Sequence, residues 1–227
     1  MSRQIETGPI KGVRLIIFDW SGTISDDRHA FHQSTMEVAK NHGKENISFT
    51  DWLSRVKLTV KEMYQVLGFD QEEINEELLA EHVESFKKKT SDLPEGEEIK
   101  PWIYPEVKET LEKLKQQGFT LMVVSTHPQE FLEKEAEEYG VDKFFSKMLG
   151  GIEEKTESIK KACEEAGVEM SEAVYVGDTV SDRRAAREAG IKMVAITGGW
   201  DSEAELRKEK PDRLIHWLDE LVDLLKD

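Results

Sequence analysis

A single cysteine, Cys163, occurs among the 227 residues. That excludes an intrachain disulfide and any metal site built on a cysteine cluster. Long apolar runs are also missing: no stretch approaches the roughly 18 residues that a membrane-spanning helix needs. The opening segment MSRQIETGPIKG contains no apolar core of the signal-peptide kind. No secretory signal is therefore expected, and the expected location is the cytoplasm. Basic residues are scarce beside acidic ones, 31 Lys and Arg against 47 Asp and Glu, for a net charge of −16. Such a surface repels nucleic-acid phosphates, so no nucleic-acid partner is expected. A small anion remains admissible, since a pocket can be locally positive inside an acidic protein.

The chain does have enough apolar residues, 38%, to build a core. Short continuous apolar runs at 13–18, 120–124, 173–176 and 192–196 read as strands covered on both faces, as in a parallel sheet. A short strand near 144–149 completes the set. Helical spacing appears at 104–117, 128–139, 156–166 and 181–189, each stretch followed by glycine. Alternation of this kind predicts right-handed βα units in a doubly wound α/β fold. The tail, 211–225, reads as a final amphipathic helix.

Residues 27–90 break the rhythm. They carry no convincing strand, and their apolar positions mark four helices. Phe31, Met36 and Val38 mark the first, and Trp52, Leu53 and Val56 the second. Met63, Val66 and Leu67 mark the third, and Ile74, Leu78, Leu79, Val83 and Phe86 the fourth. The expected organisation is an α/β core of residues 1–26 and 91–227 with a helical insertion at 27–90. Hinges are expected at Ser25 to Asp27 and at Leu93 to Gly96.

In an open parallel sheet, ligands bind beyond the C-terminal strand ends. Polar residues fall there three times: Asp19-Trp20-Ser21-Gly22-Thr23, Ser125-Thr126-His127, and Asp178-Thr179 with Asp182 in the next turn. Each Asp or Ser alone reads equally well as a helix N-cap. Carboxylates converging on one crevice repel each other unless a cation lies between them. As a set they point to a hard, oxygen-liganded cation such as Mg2+.

These segments resemble the motifs of haloacid dehalogenase-like (HAD) hydrolases. IIFDWSGTISD resembles the first motif, Ser125 after its apolar strand the second, Lys155 after Gly150-Gly151 the third, and VGDTVSD the fourth. The helical insertion after the first motif is similar to the cap of one branch of that superfamily. The resemblance implies a Rossmann-like α/β core with a cap, and Mg2+-dependent hydrolysis of a small phosphorylated metabolite. Asp19 would be the nucleophile, forming an aspartyl-phosphate. Mg2+ would be held by Asp19, the Ser21 carbonyl and Asp178, with Asp182 binding a metal water or holding Lys155. Ser125 and Lys155 would stabilise the phosphoryl group. Gly22, Thr23, Thr126 and His127 would line the phosphate and substrate site.

One residue departs from the phosphatase pattern. Where most phosphatases of the superfamily carry a general-acid Asp two residues after the nucleophile, this chain has Ser21. A lone serine hydroxyl is too weak an acid for an alkoxide, and loss of a general acid typically costs ~10²–10⁴ in rate. The leaving group would then depart unassisted or be protonated by another group. Phosphonoacetaldehyde hydrolases of the superfamily also lack this Asp and use a cap lysine. Lys61 falls near that position, so P–C bond cleavage is an alternative, and Lys61 as a contact for a substrate anion is another. A catalytically weakened binding protein is a third reading. The segment GGWDSEAELRKEKPDRLIHWLDEL resembles phosphoglycolate-phosphatase-type members and favours phosphate-ester hydrolysis.

Overall fold

The structure, a computed structural model, describes residues 8–55, 60–91 and 102–226. The chain divides into two compact units, Met1–Ser25 with Ile103–Asp227, and Asp26–Trp102.

The first unit is built on six parallel strands in the order β5-β4-β1-β6-β7-β8. They are β1 (Leu15–Phe18), β4 (Thr120–Val124), β5 (Lys147–Leu149), β6 (Ala173–Gly177), β7 (Lys192–Ile196) and β8 (Arg213–Ile215). β2 (Ser25–Asp26) and β3 (Trp102–Ile103) pair in a separate two-stranded sheet. The main sheet is buried on both faces, and strand alternation divides its side chains between two cores. Ile16 and Phe18 join Leu111, Leu114, Leu132 and Leu221 on one face. Leu15 and Ile17 join Ile159, Cys163, Ala185 and Ala189 on the other. Helices α5 (Val107–Gln116), α6 (Gln129–Tyr139) and α10 (Glu220–Leu224) therefore cover the first face. Helices α7 (Lys155–Ala166) and α8 (Val180–Ala189) cover the second. This is a doubly wound α/β fold.

The tail corrects the sequence reading. In place of one helix over 211–225, Arg213–Ile215 forms strand β8, in parallel register with Val194 to Ile196, and only Glu220–Leu224 is helical. Pairing satisfies the backbone groups of the β7 edge that a helix would leave open. Arg213 and Ile215 are both buried on one side, while Leu214 packs on the other core. A further helix, α9 (Glu203–Lys208), is capped by Ser202, whose hydroxyl accepts from the Glu205 N–H.

The second unit contains α1 (Arg28–Asn41), α2 (Phe49–Arg55), α3 (Val60–Val66) and α4 (Glu76–Ser91). Each of the four marked segments overlaps one of these helices, although Leu67 lies just past α3 and Ile74 in the turn before α4; Val56 and the expected hinge at Leu93 to Gly96 lie outside the described residues. The ring of Phe31 packs against Trp52, His82 and Phe86. His82 is buried, with Nδ1 2.9 Å from the Tyr64 hydroxyl. Among the described residues, no helix is long and apolar enough to cross a membrane.

Candidate active site

Strand register assembles the site. Phe18 lies level with Val123 of β4 and Val176 of β6. The residues that follow these strands, Asp19, Ser125 and Asp178, therefore emerge together at the C-terminal end of the sheet, from three adjacent inner strands. Asp19 is buried and donates its backbone N–H to Val176 O at 2.9 Å. Its carboxylate accepts the Trp20 N–H on Oδ1 at 2.8 Å and faces Lys155 Nζ on Oδ2 at 2.9 Å. Ser125, fully buried, also hydrogen-bonds this carboxylate.

Lys155 is the first residue of α7 and is itself buried. Its ammonium donates to Asp182 Oδ1 at 2.7 Å. The other Asp182 oxygen accepts from the backbone N–H and the hydroxyl of Thr179, at 3.1 and 2.7 Å. Thr179, not Asp182, is the N-cap of α8; Asp182 is its capping-box partner at the third helical position and also holds Lys155. Burial pulls Lys155 towards its neutral form, but Asp182 and Asp19 outweigh it and raise its pKa.

Asp178 is fully buried. It accepts the Thr23 hydroxyl on Oδ1 at 2.9 Å and the Trp200 N–H on Oδ2 at 2.7 Å. Two glycines permit that approach. A Cβ on Gly22 or on Gly199 would overlap Asp178 Oδ2, and Gly22 also has φ +79°. Thr23, expected among the phosphate contacts, gives its hydroxyl to this carboxylate. Burial, with Asp19 and Asp182 adding to it, pushes the Asp178 carboxyl well above its usual range. Burial also raises Asp19, against the pull of Lys155.

Ligand oxygens of Asp19, Asp178 and Asp182 lie within 4.8 Å of one another. With all three ionised, as ligands of a metal must be, one ammonium would leave two negative charges uncompensated in a site shielded from water. An all-oxygen donor set with that excess fits a hard divalent cation.

Ser21 is half-buried, its hydroxyl 3.3 Å from His127 Nδ1. His127 is buried, and Thr126 is exposed. Lys61 sits exposed on α3, in the unit that does not contain Asp19. Sequence reasoning passed over Glu135, Tyr175 and Trp200. Glu135 is buried on α6 among Phe131, Leu132 and Ala136, and its only sequence signal is a carboxylate four residues after Phe131 on an apolar stripe. Tyr175 donates its hydroxyl to Val124 O at 2.7 Å, with Lys155 Nζ 5.7 Å from its ring centroid.

Residues 16–196 match the sequence profile of haloacid dehalogenase-like hydrolases. The chain belongs to that family. A phosphoglycolate phosphatase of Haemophilus influenzae is 33% identical over 128 residues, covering 54% of this chain and 57% of the relative. One from Vibrio parahaemolyticus is 34% identical over 128 residues, covering 54% and 56%. The chain thus spans little more than half the length of these curated relatives. A haloacid dehalogenase-like hydrolase structure from Streptococcus pneumoniae superposes with TM-score 0.80 at 21% identity, over 93% of this chain and 97% of that one. A structure described as a predicted phosphoglycolate phosphatase, from Haemophilus somnus, gives TM-score 0.77 at 25% identity over the same shares.

Proposed function

We propose that the protein is a Mg2+-dependent phosphohydrolase acting on a small organic phosphate through an aspartyl-phosphate on Asp19. The observation that carries this reading is the buried cluster in which Lys155 bridges Asp19 and Asp182 beside Asp178. A carboxylate approaches a phosphoryl group only if the repulsion between the two anions is screened. Lys155 supplies one positive charge on the Asp19 side. Asp19 and Asp178 would hold the divalent cation, which supplies the remaining screening when bound.

The other residues orient the reaction. Lys155 and the Trp20 N–H fix the Asp19 carboxylate at both oxygens, so its direction of attack on phosphorus is set before substrate arrives. Ser125 donates to Asp19 in the absence of substrate and to a phosphoryl oxygen when substrate is bound. Asp182 keeps Lys155 in place and leaves its charge to serve nucleophile and phosphate together. The helical insertion is the cap of the family in this reading. The names of the relatives favour 2-phosphoglycolate as the first substrate to try.

A panel of phosphate esters, acyl phosphates and phosphonates, assayed with and without Mg2+, tests the proposal. Release of phosphate from esters, led by 2-phosphoglycolate and dependent on Mg2+, is the expected result. Turnover of phosphonoacetaldehyde with a borohydride-trapped adduct on Lys61 would replace it with P–C bond cleavage.

A further inference from the structure

A second set of buried polar groups converges on Ser21. His127 Nδ1 lies 3.3 Å from Ser21 Oγ, and His127 Nε2 lies 3.1 Å from Glu135 Oε1. The other Glu135 oxygen accepts the Trp20 indole N–H at 2.7 Å. Trp20, His127 and Glu135 are 0%, 6% and 7% exposed. The backbone locks His127 in place, its N–H donating to Ser125 Oγ at 3.2 Å and its carbonyl accepting from Gly151 at 2.7 Å.

Packing gives no reason for this chain of groups. Burying a carboxylate and an imidazole is costly, and apolar side chains of similar shape would fill the space without that cost. The chain begins in the core, where Trp20 stacks on Tyr139, and ends on a half-buried hydroxyl two residues from Asp19.

We infer that Ser21, backed by His127 and Glu135, moves the proton that the leaving group requires. The inference rests on the phosphohydrolase reading above. Ser21 is the catalytic residue, because its hydroxyl meets the leaving oxygen; His127 relays, and Glu135 and Trp20 position the ring. As the bond from Asp19 to phosphorus forms, the ester P–O bond breaks and its electron pair stays on the leaving oxygen. That oxygen takes the Ser21 proton, and Ser21 takes one from Nδ1 of the doubly protonated His127 ring, which is left neutral with its Nε2–H on Glu135. In the second step water attacks phosphorus and the Asp19–phosphorus bond breaks. The water's proton passes to Ser21, whose own proton returns to His127. One water is consumed, and the protein ends as it began. Glu135 faces Nε2 and so turns Nδ1 towards Ser21.

The consequence reverses what a lone serine implies: the rate should depend only weakly on leaving-group pKa. The test uses the full chain with Mg2+ and a series of monoesters from p-nitrophenyl phosphate to ethyl phosphate. In Ser21→Ala and in His127→Gln the dependence should steepen, with ethyl phosphate losing ~10²-fold more than p-nitrophenyl phosphate. The double variant should be no worse than either single one, because the residues act as a unit. Ser21→Asp placed in the His127→Gln background should restore the shallow slope. Ser21→Ala removes only a half-buried hydroxyl, so the comparison survives a folding defect in the histidine variant. Equal losses along the whole series, or a wild-type slope in Ser21→Ala, would overturn the inference while leaving the phosphohydrolase reading intact. A wild-type protein that cleaves no ester would overturn both.

Discussion

The Lys155 ammonium lies 2.9 Å from Asp19 Oδ2, with both side chains 6% exposed. An ion pair so shielded from water is strong only while both partners remain. Its removal exposes the mutual repulsion of three carboxylates, which sets the first prediction.

Lys155→Met should lower stability by about 3–5 kcal/mol in the presence of a chelator, since buried charges lose their partner. Millimolar Mg2+ should return part of that loss by supplying the missing positive charge, while phosphate release stays abolished. Urea denaturation with EDTA and with Mg2+ measures both effects. An unchanged midpoint in EDTA would mean that Lys155 contributes nothing to holding the cluster.

Thr23 orients Asp178 through a 2.9 Å bond to Oδ1. Thr23→Val keeps the shape and removes the donor. Metal affinity should fall by ~10–100-fold, the usual effect of losing a group that orients a ligand. Calorimetric titration with Mg2+ reads the change, and equal affinities in both proteins would remove Thr23 from the site.

Gly22 approaches Asp178 too closely to carry a side chain, and its φ is positive. Gly22→Ala should displace Asp178 or the loop after β1. A shift of about 1 Å at reacting groups costs ~10²-fold, so kcat/KM for the best ester should drop by at least that. Retention of wild-type kinetics would show that the loop tolerates the methyl group.

In the helical unit, burial depresses His82 to about 4 from its usual 6.5. The unfolded chain therefore binds a proton that the folded chain refuses between these values. This contribution to stability is complete above pH 6.5 and is lost as pH falls towards 4. It amounts to up to about 3 kcal/mol. Nε2 of His82 has no hydrogen-bond partner among the described residues, so nothing there rewards protonation. Comparing wild type with His82→Phe by urea denaturation at pH 7.5 and 4.5 isolates the effect. The variant should lose less stability on acidification, and parallel losses would contradict the assignment.

Strands that are apolar on both faces were legible because two cores demand apolar residues at every position, as Leu15 to Phe18 show. The helical insertion was legible from the absence of such runs. The edge strand Arg213–Ile215 was not. It has three residues, begins with a charge, and is followed by Leu218 and Leu221 at helical spacing, so its identity depends on pairing with β7. At the site, Asp19 and Asp178 stood out as carboxylates at strand ends and Asp182 as one in the next turn, while Lys155 was picked out only by the motif resemblance. Glu135 was hidden among Glu130, Glu133, Glu137 and Glu138 on the same helix, where a carboxylate ordinarily faces solvent. Its burial follows from the tertiary partners Trp20 and His127, which no local pattern carries.

The central claim is that Asp19 carries the phosphoryl group. Its most direct test is borohydride reduction of the protein quenched during turnover of its best phosphate ester, followed by peptide mass spectrometry. The account predicts conversion of Asp19 to homoserine, dependent on substrate and Mg2+, and neither adduct nor turnover in Asp19→Asn. Near-normal phosphate release by Asp19→Asn, or reduction at another carboxylate, would contradict it.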